Sequence, residues 1–102
     1  MSVNVVNSGA RMTAYLSGEI DHHNAPEIRS AIDAAALKER PAVLRLDFRD
    51  VSFMDSSGVG LVMGRYKLVS GFSGRIEVAY LSGSCERVMK LSGIEKIATL
   101  IK

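Results

Sequence analysis

The stretch between residues 44 and 67, LRLDFRDVSFMDSSGVGLVMGRYK, constrains the fold most, because it joins a buried strand to a helix through a short polar turn. Apolar and polar residues alternate from Leu44 to Phe48, which is typical of a strand with one face in a core. Asp55-Ser56-Ser57-Gly58 has the composition of a helix start. Apolar residues at helical spacing then continue to Ser70. This arrangement predicts hydroxyl and carboxylate groups at the edge of a sheet, beside the positive end of a helix.

The rest of the chain adds strands and helices in alternation, with a turn cluster after the first strand that predicts a hairpin. Asn24 is predicted to be the N-cap of the first helix, with Pro26 in its first turn, Glu27 completing a capping box and Pro41 ending it. The predicted strands cover residues 3–6, 11–17, 42–48, 75–80 and 97–101, and the predicted helices cover 24–40, 57–70 and 82–91.

The resulting order, β-β-α-β-α-β-α-β, predicts an α/β fold with a mostly parallel sheet and an antiparallel edge strand. With 102 residues the chain can bury one core, so we expect a single domain over residues 1–102. The formal net charge is only +2 and the basic residues are scattered, which argues against a nucleic-acid partner. No apolar run approaches the ~20 residues that span a bilayer. Together with a lone cysteine, Cys85, this predicts a soluble, cytoplasmic protein that does not act at a membrane.

Two polar loops are expected at the carboxyl-terminal edge of the sheet, where binding sites of open α/β sheets collect. One is Asp21-His22-His23-Asn24, and the other is Asp55-Ser56-Ser57-Gly58. The second loop offers three successive good N-cap residues where one suffices. We therefore expect one serine to cap the helix and the other to stay available for modification. A phosphate there would meet unpaired N–H groups and the helix dipole, opposed by the charge of Asp55.

The helix after this turn is rich in glycine and apolar on two sides. The spacing GxGxxxG is not that of a dinucleotide-binding loop, so we expect Gly60 and Gly64 to allow close packing. Met63 is expected in the core, and Arg65 in solvent. Helical geometry places the apolar residues on two opposite sides of this helix, and the sequence does not show which side meets the sheet. One side carries Val59, Val62, Met63, Tyr66 and Val69, and the other carries Leu61, Gly64 and Leu68.

Asp21, His22, His23 and Ser56 contain the residue types of a hydrolase triad. The serine lacks a GxSxG elbow and 102 residues leave no second domain to form a pocket, so catalysis is disfavoured. Metal binding by the two adjacent histidines is disfavoured as well, because no third ligand is evident. We expect neither an enzyme nor a cofactor.

Two segments carry a resemblance to a known family. Phe53-Met54-Asp55-Ser56-Ser57-Gly58-Val59-Gly60, continued by Gly64-Arg65-Tyr66-Lys67, resembles the phosphorylation segment of anti-sigma factor antagonists in the bacterial STAS-domain family. Ser17-Gly18-Glu19-Ile20-Asp21-His22-His23-Asn24-Ala25 is similar to another loop of that family, especially in its sporulation type. The order of elements agrees over nearly the whole chain.

The resemblance implies a regulator of transcription that binds an anti-sigma factor, which is also an ATP-dependent serine kinase, and so releases a sigma factor. Phosphorylation of Ser56 ends the contact, and a serine phosphatase restores it. By the same resemblance Ser57 is the helix cap, and the partner-binding residues are Asp21, Asp55, Ser56, Ser57, Gly58 and Val59. A STAS scaffold or ligand-sensing module without phosphorylation remains an alternative. Relatives also carry a further amphipathic helix, which would follow Lys102.

Overall fold

The computed structural model describes residues 2–102, and its elements follow the predicted order. The strands are β1 (Ser2–Ser8), β2 (Arg11–Ile20), β3 (Val43–Met54), β4 (Arg75–Ala79) and β5 (Ala98–Ile101). The helices are α1 (Ala25–Glu39), α2 (Ser57–Ser70) and α3 (Gly83–Leu91), and a short 3₁₀ helix, Ile94–Lys96, follows α3. Within residues 2–102, no helix is both long enough and apolar enough to cross a membrane.

The five strands form one sheet in the order β1-β2-β3-β4-β5. β1 pairs with β2 in the antiparallel sense, and the remaining neighbours are parallel, which confirms the predicted fold class. Because strand order follows the chain and parallel crossovers are right-handed, the connecting helices are expected on one face of the sheet. The burial pattern agrees, since alternate residues of β2, β3 and β4 join the buried residues of the helices in one core.

The core consists mainly of aliphatic side chains from the sheet and the helices, and it includes one buried phenylalanine, Phe48. Cys85 and Met89 of α3 are buried in it. Its fully buried large side chains are Phe48, Met12, Leu16, Ile20, Ile28, Ile32, Leu44, Leu46, Ile76, Met89, Ile94 and Val62.

β2 and β3 are longer than the sequence pattern predicted. The register between them shifts twice, between Tyr15 and Ser17 and again between Gly18 and Glu19, so that β3 holds extra residues against β2. Such bulges break the alternation of apolar and polar residues, which is why the pattern after Phe48 did not predict a strand. The two strands stay paired to their ends, where Ile20 lies opposite Met54.

The buried stripe of α2 runs between the two apolar sides predicted for it. Its buried residues are Gly58, Leu61, Val62, Arg65 and Val69, so the predicted division was wrong. Met63, expected in the core, is 45% exposed. Arg65, expected in solvent, is 5% exposed.

The glycines of α2 also differ from the prediction. A Cβ atom added at Gly60 or Gly64 would have no neighbour within 4 Å, so these residues do not serve close packing. Gly58 does, because a Cβ there would overlap Sδ and Cγ of the buried Met54. The last residue of β3 therefore packs directly under the first turn of α2.

The face of the sheet away from the helices carries an ionic cluster. Glu77 of β4 accepts hydrogen bonds from Arg11 of β2 and from Arg45 Nε of β3, the latter at 3.0 Å. Burial acts to raise the pKa of Glu77, but the two guanidinium groups outweigh it and hold that pKa below its ordinary value. The cluster ties three adjacent strands together.

We expect Gly58→Ala to destabilise the protein by about 1–2 kcal/mol, because the added methyl group displaces Met54 in a filled core. Gly60→Ala is the matched control, since its methyl group points into open space. It should stabilise α2 by up to about 1 kcal/mol through helix propensity. Urea unfolding of both variants measures the two changes, and a Gly58→Ala variant as stable as Gly60→Ala would contradict the packing at Met54.

Candidate functional site

The loops after β2 and β3 lie side by side at one edge of the sheet, as predicted. The backbone N–H of Asp55 donates to the carbonyl oxygen of Ile20 at 3.1 Å, which joins the two loops directly. His22 Nδ1 lies 3.9 Å from Asp55 Oδ2 across the same gap. We call this pair of loops, residues 21–24 and 55–59, the paired-loop surface.

Asp21 organises the first loop. Its Oδ1 accepts hydrogen bonds from the N–H groups of His23 at 2.9 Å and Asn24 at 3.1 Å. Asn24 Oδ1 accepts from the N–H of Asp21, and its Nδ2 donates to Glu19 O. Asn24 is the N-cap residue of α1, as predicted, but its side chain makes no cap hydrogen bond because it faces back into the loop.

Asp55 caps the second helix, and neither serine does. Asp55 Oδ1 accepts the backbone N–H of Ser57 at 2.8 Å, whereas Ser56 makes no side-chain cap. The predicted capping role of Ser57 was wrong, because its backbone N–H is the group being capped. An aspartate two residues before the helix reaches this N–H as well as a serine would.

The side chain of Ser56 is exposed, and among residues 2–102 its hydroxyl has no hydrogen-bond partner within the protein. The backbone around it is already paired. The N–H of Gly58 donates to Asp55 O, and those of Val59 and Gly60 donate to Ser56 O. The N–H groups of residues 57–60 are therefore not free to receive a phosphate, and at this helix start only the N–H of Ser56 itself has no partner within residues 2–102.

Most residues of the predicted binding set reach the surface. Ser56 is exposed, and Asp21, Asp55, Ser57 and Val59 are partly exposed. Gly58 is buried, so it supports the turn and has no accessible surface for a partner to contact.

The parts of the hydrolase triad do not assemble. His22 and His23 are exposed and lie near Asp55 and Asp21, both at 3.9 Å. Within residues 2–102, no hydrogen bond joins either histidine to Ser56. The arrangement leaves the serine without a positioned base.

A buried ion pair behind the surface was missed by the sequence analysis. Arg65 Nε of α2 lies 2.7 Å from Asp33 Oδ1 of α1. Burial lowers the pKa of Arg65, and the attraction of Asp33 acts against this. The pair fastens α1 to α2 just below the two loops. The available signal was the position of Arg65 four residues from both Leu61 and Val69, in the buried stripe.

The chain is similar to known proteins over nearly its whole length. Residues 2–102 match the family model described as STAS domain. The anti-sigma F factor antagonist of Paenibacillus polymyxa is 37% identical over 82 residues, which cover 80% of this chain and 70% of that protein.

Two solved structures of SpoIIAA share the fold. The anti-sigma factor antagonist SpoIIAA in its unphosphorylated form superposes with a TM-score of 0.85 at 29% identity, over 99% of this chain and 89% of that one. The Bacillus cell fate determinant SpoIIAA in the phosphorylated form gives a TM-score of 0.77 at 29% identity, over 99% and 92% of the two chains.

The cap at α2 predicts a specific acid sensitivity. The N–H of Ser57 holds the pKa of Asp55 below its ordinary value, helped by the Ser57 hydroxyl and by His22, while burial acts against them. A carboxyl group with a lowered folded pKa stabilises the fold above its unfolded pKa, near 4, and this contribution is lost as pH falls through the folded pKa. Asp55→Ala should therefore be less stable than the wild type at neutral pH and lose less stability on acidification.

Urea unfolding of both proteins across the acid range measures this difference. Asp50→Ala is the control, because Asp50 is an exposed carboxylate of β3. A wild type and an Asp55→Ala variant that lose stability in parallel would show that the cap contributes nothing.

Proposed function

The chain belongs to the STAS domain family, and on this premise we propose that it is an anti-sigma factor antagonist controlled by phosphorylation of Ser56. In this proposal the unmodified paired-loop surface binds an anti-sigma factor that is also a serine kinase, and binding releases a sigma factor. The kinase uses its own ATP to modify Ser56, which ends the contact. A serine phosphatase restores it.

The observation that carries the proposal is the exposed hydroxyl of Ser56. Because Asp55 caps α2, that hydroxyl makes no hydrogen bond to another group within residues 2–102. A kinase can therefore take it as an acceptor without breaking a hydrogen bond of the fold. Ser57 differs, since it is partly buried and its backbone N–H is hydrogen-bonded to the Asp55 carboxylate.

The charges around Ser56 favour a switch that acts on the surface. A phosphate group adds about −1.5 to −2 charge next to the Asp55 carboxylate, in the loop that also faces Asp21. The backbone N–H groups of residues 57–60 are already paired, so they offer the phosphate no new hydrogen bonds. The added charge would stay in solvent and leave the fold intact. It would weaken the contact, because a bound partner would be repelled by the phosphate or would have to remove its hydration water.

The relatives support this mode of control. The Paenibacillus relative is named an anti-sigma F factor antagonist. SpoIIAA has been solved unphosphorylated and phosphorylated, and this chain superposes on both forms over 99% of its length. A fold compatible with both states is what a surface switch requires.

The proposed partner contact uses Asp21, Asp55, Ser56, Ser57 and the exposed part of Val59, with Gly58 supporting the turn. Two carboxylates at its centre suit a basic side chain of the anti-sigma factor. The domain contributes no reaction of its own, because the phosphoryl transfer is carried out by the partner. Since the outcome is release of a sigma factor, we place the exchange in the cytoplasm.

The two serines provide a direct test. After incubation with the host's cognate anti-sigma factor and ATP, intact mass should show one phosphate on the wild type and on Ser57→Ala, and none on Ser56→Ala. Phosphosite mapping that places the phosphate on Ser57 would overturn the assignment.

Partner affinity tests the switch itself. Ser56→Asp should bind the anti-sigma factor at least about tenfold more weakly, which corresponds to about 1.4 kcal/mol. Ser56→Asn is the matched control, of the same size without the charge, and should bind nearly as well as the wild type. Equal affinities of the two variants in calorimetry would favour a STAS module that phosphorylation does not control.

A further inference from the structure

A cavity of about 300 Å³ opens beside the paired-loop surface, between the first turns of α1 and α2. Its polar lining comes from His22, Arg29, Ser57 and Arg65. Its apolar lining includes Pro26 and Leu61. A volume of this size lies at the lower end of small-molecule sites.

Arg65 is the buried wall of this cavity. Its guanidinium is 6% exposed and pairs with Asp33, with Nε 2.7 Å from Oδ1. The Nε–H bond of Arg65 is not aligned with Asp33 Oδ1, so within residues 2–102 neither Nε nor Oδ1 has a well-formed hydrogen bond. Its Nη1 donates to Leu61 O only at a long 3.4 Å. Among residues 2–102 the guanidinium makes no other hydrogen bond, so its remaining N–H groups keep donor capacity where Arg65 lines the cavity.

Arg29 adds a second positive charge at the cavity mouth. Among the described residues no carboxylate forms an ion pair with it, whereas Asp33 balances Arg65. Burial is the main cause that lowers the pKa of Arg65, and the charge of Arg29 lowers it further, because the two guanidinium groups repel each other. An anion between them would relieve this repulsion. The carboxylate of Asp55 is engaged with the N–H of Ser57 at 2.8 Å.

We propose that this cavity binds a phosphate group, either as free phosphate or as the head of a small phosphate monoester. The Arg29 and Arg65 guanidiniums supply charge-assisted hydrogen bonds, and the Ser57 hydroxyl and the His22 imidazole complete the polar wall. Pro26 and Leu61 face the body of a monoester. The cavity shares His22 and Ser57 with the paired-loop surface, but the proposal does not rest on the modification of Ser56.

The test is a titration of the ¹⁵N-labelled full chain with inorganic phosphate and with phenyl phosphate, at constant ionic strength. Either probe should shift the amide signals of His22, Ser57 and Gly60 in a saturable way. Tighter binding of phenyl phosphate identifies a monoester as the source, and equal binding identifies free phosphate. Absence of saturable shifts with both probes would overturn the proposal.

Charge variants distinguish a specific phosphate site from nonspecific attraction of the anion to positive charge on the protein. Arg29→Gln should weaken binding of the better probe at least about tenfold, whereas Arg87→Gln, on exposed α3 surface, should leave it unchanged. Equal loss in both variants would overturn the proposal.

Gly60 offers a second pair of variants at the cavity rim. A Cβ atom added at Gly60 would have no neighbour within 4 Å, so both Gly60→Asp and Gly60→Asn should fold. Gly60→Asp should weaken phosphate binding about tenfold relative to the isosteric Gly60→Asn through charge repulsion. Equal affinities of these two variants would place the anion elsewhere.

Discussion

Parallel pairing of β2 with β3 is the constraint on which the rest of the site depends. It carries both strands to the same edge of the sheet, with Ile20 opposite Met54, and so sets the two loops next to each other. Two further contacts hold them there. The N–H of Asp55 donates to Ile20 O, and the Arg65–Asp33 pair joins the two helices that follow the loops. The surface is therefore built before any partner arrives.

In the loop after β3, neighbouring residues make the cap and the packing contacts, and the hydroxyl of Ser56 is left without a contact. Asp55 uses its carboxylate to cap α2, and Gly58 lets Met54 pack beneath the turn. Ser56 stands between them with an exposed hydroxyl that takes no part in either contact. We expect the proposed modification at this position to change surface charge more than internal structure. That property suits a regulator whose fold must survive both states.

Local sequence patterns predicted the order of the elements and the bounds of α2, because both rest on nearest-neighbour chemistry. The pairing of the loops also followed from topology alone. The cap was assigned to the wrong residue, since serine and aspartate both accept such N–H groups and only geometry separates them. Arg65 was missed because its burial depends on Asp33, a residue of another helix, and charge alone indicates solvent.

We expect phosphorylation of Ser56 to change the charge of a preformed surface and to leave the fold beneath it unaltered. Amide spectra of the unmodified and the Ser56-phosphorylated chain, recorded under the same conditions, test it most directly. We expect signal changes confined to residues 21–24 and 54–60. Changes that spread through the core strands, or through α1 below its first turn, would contradict it and would indicate a switch that works by rearranging the domain.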